Sequence, residues 1–275
     1  MGVLNVTPDS FSDGGRYVDA DAAIAHGRSL VAEGADLVDV GGESTRPGAD
    51  PVDVATELAR VLPVVEVLSD EVRVSIDTRK PEVAEAAVAA GATLVNDVSA
   101  SLAAVAAATG AGWVAMHMQG EPGSMQLEPT YDDVVAEVRD LLVQRAEEAR
   151  AAGVSEVWID PGIGFGKTLA HNLALLAHLD DLVATGVPVA VGVSRKSSLG
   201  VLTAVSDARG GHPDGRLPVE LAEVRSAPVD ERLDASLALA AWSVAAGAGM
   251  VRVHDVAETV RALRAMAASE LTVAA

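Results

Sequence analysis

The strongest constraint on this chain is a pattern that repeats without repeating its residues. Eight short apolar runs each end in a polar group and lead into a stretch with helical spacing. They lie at Val3-Leu4, Leu37-Val38-Asp39-Val40, residues 72–76, Leu94-Val95, residues 113–116, Val157-Trp158-Ile159, residues 189–193 and residues 250–254. Near-continuous apolar runs of this length suit parallel strands buried on both faces. Between them, residues such as Val54, Leu58, Val61, Leu62 and Val65 recur at the spacing of one helix face. Eight such strand–helix units in about 250 residues is the count of a (β/α)8 barrel. The pattern predicts an α/β fold, a single-domain (β/α)8 TIM barrel over residues 1–275, with its first strand cut short at the N-terminus. The Gly- and Pro-rich stretch over about 204–230 is expected to be a long irregular loop between the seventh strand and its helix.

Composition narrows the partners. Of 275 residues 49% are hydrophobic, enough to fill a barrel core. The chain has no Cys, which excludes a disulfide framework and thiolate chemistry and fits a reducing, cytoplasmic interior. A formal net charge of −20 argues against nucleic acid or an anionic membrane surface, since both need a basic face. Residues 98–116 and 235–251 lack charge, but Gly, Ser and Thr interrupt them. A membrane span wants about 20 strongly apolar residues, so each reads as a helix running into a buried strand. The expected partners are small molecules.

In a barrel of this kind the chemistry sits at the C-terminal ends of the strands. Those ends carry Asn5, Glu43, Thr45 and Arg46, Asp77, Asn96 and Asp97, His117, Asp160, Lys196, and Arg252 and His254. Carboxylates only accept hydrogen bonds whereas Asn donates and accepts, so the set suits a heterocycle edge rich in N–H groups. Arg46, Lys196, Arg252 and His254 supply positive charge for a phosphate-like group. Nothing matches a catalytic triad or a zinc site. Residues 5–15 form a polar stretch longer than the roughly 2–6 residues usual between strand and helix, which suits a functional loop, with a disordered N-terminal tip as the plainer reading. Plainer roles compete for several of these residues. A helix cap competes with the site role at Asp77, shortly before Pro81, and is the leading reading at Asp97; His117 reads first as a satisfied strand-end histidine. Thr130 with Asp133 reads as a capping box for the helix carrying Val134 and Val138. Residues 160–167 look like a phosphate loop, but only three residues separate Gly162 from Gly166 where that motif needs four.

Taken together, residues 5–15, the run Glu43-Ser44-Thr45-Arg46-Pro47-Gly48, Asp77-Thr78, Asn96-Asp97, Asp160-Pro161-Gly162-Ile163-Gly164-Phe165-Gly166-Lys167, Ser194-Arg195-Lys196-Ser197 and Arg252-Val253-His254-Asp255 resemble dihydropteroate synthases, in order and over nearly the whole chain. The resemblance implies condensation of 7,8-dihydropterin-6-ylmethyl diphosphate with 4-aminobenzoate, giving 7,8-dihydropteroate and pyrophosphate for folate biosynthesis, with sulfonamides as competitors. It implies that Asp77, Asn96, Asp160 and Lys196 hold the pterin. It places Thr45, Arg46, Arg252 and His254 at the diphosphate, and Asn5 as a ligand to Mg2+. Phe11, Thr45, Pro47, Phe165, Lys196 and Ser197 would line the 4-aminobenzoate position. Lys196, Arg252, His254 and Asp13 are the implied catalytic set, Asp13 by holding the mobile loops together, and the implied assembly is a homodimer. Ser198 departs from the resemblance, standing where the family often has a bulky apolar residue. Two other functions share part of the pattern. A pterin-dependent methyltransferase barrel would not need the loops at residues 5–15 and 45–47. A non-catalytic pterin-binding paralogue would be expected to lose Lys196, Arg252 or the loops, and all are present.

Overall fold

The chain is described by a computed structural model over residues 1–7, 20–45, 50–210 and 225–273, with the side chains of 209, 210 and 269–273 excepted. Six strands pair in parallel in chain order: β1 (Gly2–Asn5), β2 (Leu37–Gly41), β3 (Arg73–Asp77), β4 (Leu94–Asp97), β5 (Gly112–Met116) and β6 (Val157–Asp160). Two short strands, β7 (Ala190–Val191) and β8 (Met250–Val251), pair in parallel with each other. Two bridges join these sheets into a ring, Ile159 to Val189 and Gly2 to Val253. The Ile159 N–H donates to Pro188 O at 2.9 Å, and the Val3 N–H to Val253 O at 2.9 Å. The sheet has no free edge between first and last strand, so the architecture is a closed (β/α)8 barrel, as the apolar runs predict.

Alternation along the strands divides the buried residues into two clusters. Val38, Val40, Val74, Ile76, Val95, Ala115, Ile159 and Val251 point outward and pack under the helices in one core. Leu37, Leu94, Val114, Ala190 and Met250 point inward and fill the lower lumen, with Met1 and Trp158 against them. Strand side chains alternate with period two, so the next inward residue up each strand stands above this plug.

Helices α1 (Ala20–Ala32), α2 (Val54–Leu68), α3 (Pro81–Ala89), α4 (Ala103–Thr109) and α5 (Val134–Ala151) alternate with β1 to β6. Asp53 caps α2, its carboxylate accepting the Thr56 N–H at 2.7 Å, and Pro81 opens α3 where its missing N–H costs nothing. The capping box expected from Thr130 is displaced. Thr130 gives its N–H to Gln119 Oε1, while Asp133 is the cap of α5 and accepts from Val135 and Ala136. Glu137 supplies the return bond to the Asp133 N–H at 2.9 Å.

Between β6 and β7 lie α6 (Leu169–Ala177) and α7 (Leu179–Val183). After β7 comes α8 (Ser197–Gly210), then a 3-10 turn (Val229–Glu231), α9 (Leu233–Ala245), β8 and α10 (Val256–Val273). The expected irregular loop over about 204–230 needs correction at its start. Residues 204–210 continue α8, because no Pro or Gly falls between Val201 and Arg209 to stop it. Two helices therefore follow β7, and residues 211–224 lie outside the described part. Among the described residues no helix is long and apolar enough to cross a membrane.

Candidate active site

The layer above the apolar plug is polar. Asp39, fully buried in the middle of β2, accepts through Oδ2 from Asn96 Nδ2 at 2.9 Å and from Arg252 Nε at 2.6 Å. Arg252 reaches onward, donating from Nη2 to Asp77 Oδ2 at 2.7 Å. Burial opposes the Arg252 charge, but Asp39 and Asp77 outweigh it and hold the guanidinium's pKa above its ordinary value. Burial pushes the Asp77 carboxyl up to about 7, with Arg252 pulling the other way. Asp160 at the end of β6 is raised by burial, while the Gly162 N–H, donating to its Oδ1 at 2.7 Å, opposes the shift. Lys196 extends over the Phe165 ring, 4.0 Å from its centroid, a cation–π contact. Burial lowers its pKa to about 8 against the pull of Asp160. Thr45, Asp77, Asn96, Asp160, Phe165, Lys196 and Arg252 open onto one cleft at the barrel mouth.

One wall of the cleft is the loop after β6, residues 160–167. Gly162 has φ +65°, and a Cβ there would lie 1.9 Å from His117 O, so only glycine fits. Lys167 Nζ turns inward and donates to the carbonyls of His117, Gly162 and Phe165 at 3.2, 3.1 and 3.0 Å. A fourth contact, 2.9 Å, joins it to His117 Nδ1. Burial lowers His117 to about 3, with Lys167 adding to the effect, so its ring is neutral. Gln126 and Tyr131 take two further carbonyls of the loop, those of Gly164 and Gly166. The lysine that looked like part of a phosphate loop is instead a staple that fixes Phe165 and the backbone beside Asp160.

The other expectations sort as follows. Asp77 is not a cap: the cap position of α3 is Lys80, and Asp77 faces Arg252. Asp97 is not one either: the cap position of α4 is Leu102, with no side-chain cap bond. The Asp97 carboxylate accepts the N–H groups of Ser99, Ser101 and Leu102 in the turn ahead of α4 and the Trp113 indole N–H, so it serves packing beneath the helix. His254 is held by Ser194, whose hydroxyl accepts the His254 backbone N–H at 3.1 Å and lies 3.0 Å from Nδ1. The direction of that second contact follows the ring's tautomer, since the hydroxyl can donate to Nδ1 or accept from it. Ser197 opens α8 directly after Lys196, and Asn5 ends β1 in register with Gly41. Phe11, Asp13, Arg46 and Pro47 lie outside the described residues. Among the described residues no group of three or more His, Cys, Asp or Glu side chains could hold a metal ion. Sequence reasoning passed over Asp39 and Lys167. The signal for Asp39 was there: one carboxylate inside an apolar strand, two residues below the strand end and therefore on the same face.

Acceptors and cations gathered at the C-terminal mouth of a parallel barrel define a barrel that grips a small polar ring. Residues 1–254 match the family described as pterin binding enzyme, and the chain belongs to that family. The chain is similar to the dihydropteroate synthase of Mycobacterium leprae (strain TN), at 49% identity over 98% of this chain and 92% of the relative. It is also similar to a solved Xanthomonas albilineans dihydropteroate synthase with 4-aminobenzoic acid, at 46% identity and a TM-score of 0.83, covering 98% of this chain and 92% of that one. The same enzyme solved with 7,8-dihydropteroate aligns at 43% identity and a TM-score of 0.80, with the same coverage.

Proposed function

We propose that this protein joins 7,8-dihydropterin-6-ylmethyl diphosphate to 4-aminobenzoate, releasing pyrophosphate and forming 7,8-dihydropteroate, as dihydropteroate synthases do in folate biosynthesis. The observation that carries the proposal is the convergence of Asp77, Asn96, Asp160, Lys196 and Arg252, from five separate strand ends, on one cleft. The similarity to enzymes solved with 4-aminobenzoic acid and with 7,8-dihydropteroate supports it.

In this reading the pterin lies across the lumen. Asp160, with one oxygen committed to Gly162, offers the other to the ring's amino and N–H groups. Lys196 donates to the ring carbonyl and a ring nitrogen while stacked on Phe165. Asn96 and Asp77 meet the remaining edge. Each charge-assisted bond contributes roughly 1.5–3 kcal/mol. Arg252 has Nε and Nη2 engaged, which leaves Nη1 for the diphosphate, with His254, Thr45 and Arg46 as its further proposed contacts. The C–O bond breaks first and its electron pair leaves with the diphosphate. The electron-rich pterin stabilises the positive methylene, and the arylamine nitrogen then forms the C–N bond and loses its proton. Fixed donors around the departing oxygens stabilise charge as it develops. Phe11, Thr45, Pro47, Phe165, Lys196 and Ser197 would line the arylamine's approach in this reading, and Asp13 would hold the two loops closed so that water does not trap the cation.

The protein donors at the β1 end suit a metal that arrives with substrate. Mg2+ commonly takes one or two protein oxygens and fills the rest of its shell with phosphate and water, and the Asn5 amide oxygen is one such donor. The ion would supply charge neutralisation on the diphosphate. The working assembly in this reading is a cytoplasmic homodimer. Trp242 on α9 is 53% exposed, which is apolar surface available for a two-fold contact. A monomer in light scattering contradicts the dimer without touching the reaction. For the reaction itself, pyrophosphate release should require 4-aminobenzoate and Mg2+. Release without the arylamine, or none with both substrates present, overturns it.

A further inference from the structure

Asp39 does work that the proposed reaction leaves unexplained. It is 0% exposed, sits below the cleft rather than in it, and binds two residues that do line it. Its Oδ1 has no partner among the described residues, nor does the hydroxyl of Ser75 at the paired position on β3. A buried carboxylate with an unmatched oxygen is a costly way to fill a lumen, and an apolar side chain would fill it at lower cost. Its value lies in what it forces on its neighbours. A carboxylate only accepts, so the Asn96 atom facing it must be the donor Nδ2. The Asn96 amide is thereby locked with Oδ1 turned to the cleft, where no protein donor among the described residues meets it. The same Oδ2 takes Arg252 Nε and so sets the guanidinium plane that carries Nη2 to Asp77.

We infer that Asp39 is a positioning residue that fixes the hydrogen-bonding polarity of the pterin site, making Asn96 an acceptor toward the ligand. The ring edge it selects carries an N–H opposite Asn96. This rests on the barrel mouth being the pterin site, as proposed above.

The test is calorimetric titration of folded protein with 7,8-dihydropterin-6-ylmethyl diphosphate. Wild-type binding comes first: if the wild type does not bind, the proposed function fails and the role of Asp39 is not what failed. Given wild-type binding, Asp39→Leu frees the Asn96 amide to turn and should weaken affinity roughly tenfold, about one charge-assisted hydrogen bond. Asn96→Asp sets two carboxylates against each other and should weaken it by at least as much. Combining Asn96→Asp with Asp39→Asn lets the new amide at position 39 donate to the new carboxylate at position 96, whose second oxygen still faces the cleft as an acceptor. That pair should regain most of the affinity lost by Asn96→Asp alone. A merely structural Asp39 gives two defects that add. The inference is overturned if Asp39→Leu or Asn96→Asp binds as the wild type does, or if the pair binds no better than Asn96→Asp. Should Asp39→Leu fail to fold, the comparison of the pair with Asn96→Asp decides.

Discussion

Two residues of strand separate the floor of this barrel's lumen from its mouth. Leu37 gives way to Asp39 on β2, Leu94 to Asn96 on β4, and Trp158 to Asp160 on β6; beyond β8, Met250 gives way to Arg252. Each pair shares a strand face, so the same backbone geometry presents both. The floor packs as an apolar plug. One step up, polar groups are buried at a cost the fold must carry. Burial moves Asp77 up to about 7 and Lys196 down to about 8, and Asp39 keeps an oxygen without a partner among the described residues. Shifts of this kind, gathered in a cleft, are a mark of sites selected for chemistry rather than for stability. The lower layer should therefore answer to stability measurements and the upper one to binding measurements.

The largest separation is expected at Asp160. Asp160→Ala removes two charge-assisted bonds to the pterin at roughly 1.5–3 kcal/mol each, so kcat/KM for the pterin diphosphate should fall about a hundredfold or more. The midpoint of chemical denaturation should hold or rise, and a large drop in it would place Asp160 with the floor. The mirror experiment is Leu94→Ala, which opens a cavity in the plug and should cost about 2–5 kcal/mol of stability in urea. The molecules that remain folded should bind pterin as tightly as the wild type, and a loss of affinity at full folding would erase the boundary between the layers.

Smaller effects sharpen the boundary through pH. Lys196 titrates near 8, so pterin binding should weaken as pH rises through that value, by about tenfold for one charged bond. Lys196→Arg keeps its charge and should lose this alkaline limb in a calorimetric pH series, whatever its absolute affinity. Stability should run the opposite way. The folded pKa of Lys196 lies below its ordinary 10.5, so between about 8 and 10.5 the unfolded chain binds the proton more readily. The penalty for burying this cation is fully present below pH 8 and fades as pH climbs toward 10.5. Lys196→Met should accordingly be more stable than the wild type at pH 7, with the difference closing across that window in thermal melts. A constant difference would mean that Lys196 is not paying a burial cost.

Much of this was readable from the residues, and the misses have physical causes. Apolar runs ending in polar residues are what parallel buried strands require, so the barrel and the strand-end positions of Asp77, Asn96, Asp160 and Arg252 followed from pattern alone. A capping role competed at both Asp77 and Asp97, more strongly at Asp97. Both are aspartates at strand ends ahead of helices, and only the turn of the chain decides that one meets Arg252 while the other takes backbone N–H groups. Asp39 escaped notice because strand-end reasoning looks one layer too high. Lys167 escaped because its partners are mostly backbone carbonyls, which no side-chain motif encodes. The extent of α8 was underestimated because the Gly and Pro content of residues 210–230 coloured the residues just before it.

The most direct measurement is the position of the pterin itself. In a crystal of this protein grown with 7,8-dihydropterin-6-ylmethyl diphosphate, the bicyclic ring should lie above the apolar plug, with one edge on Asp160, Lys196 against its carbonyl and Asn96 Oδ1 facing a ring N–H. A ring seated anywhere else, or lying there with no contact to Asp160 or Asn96, contradicts the division of the lumen on which this account stands.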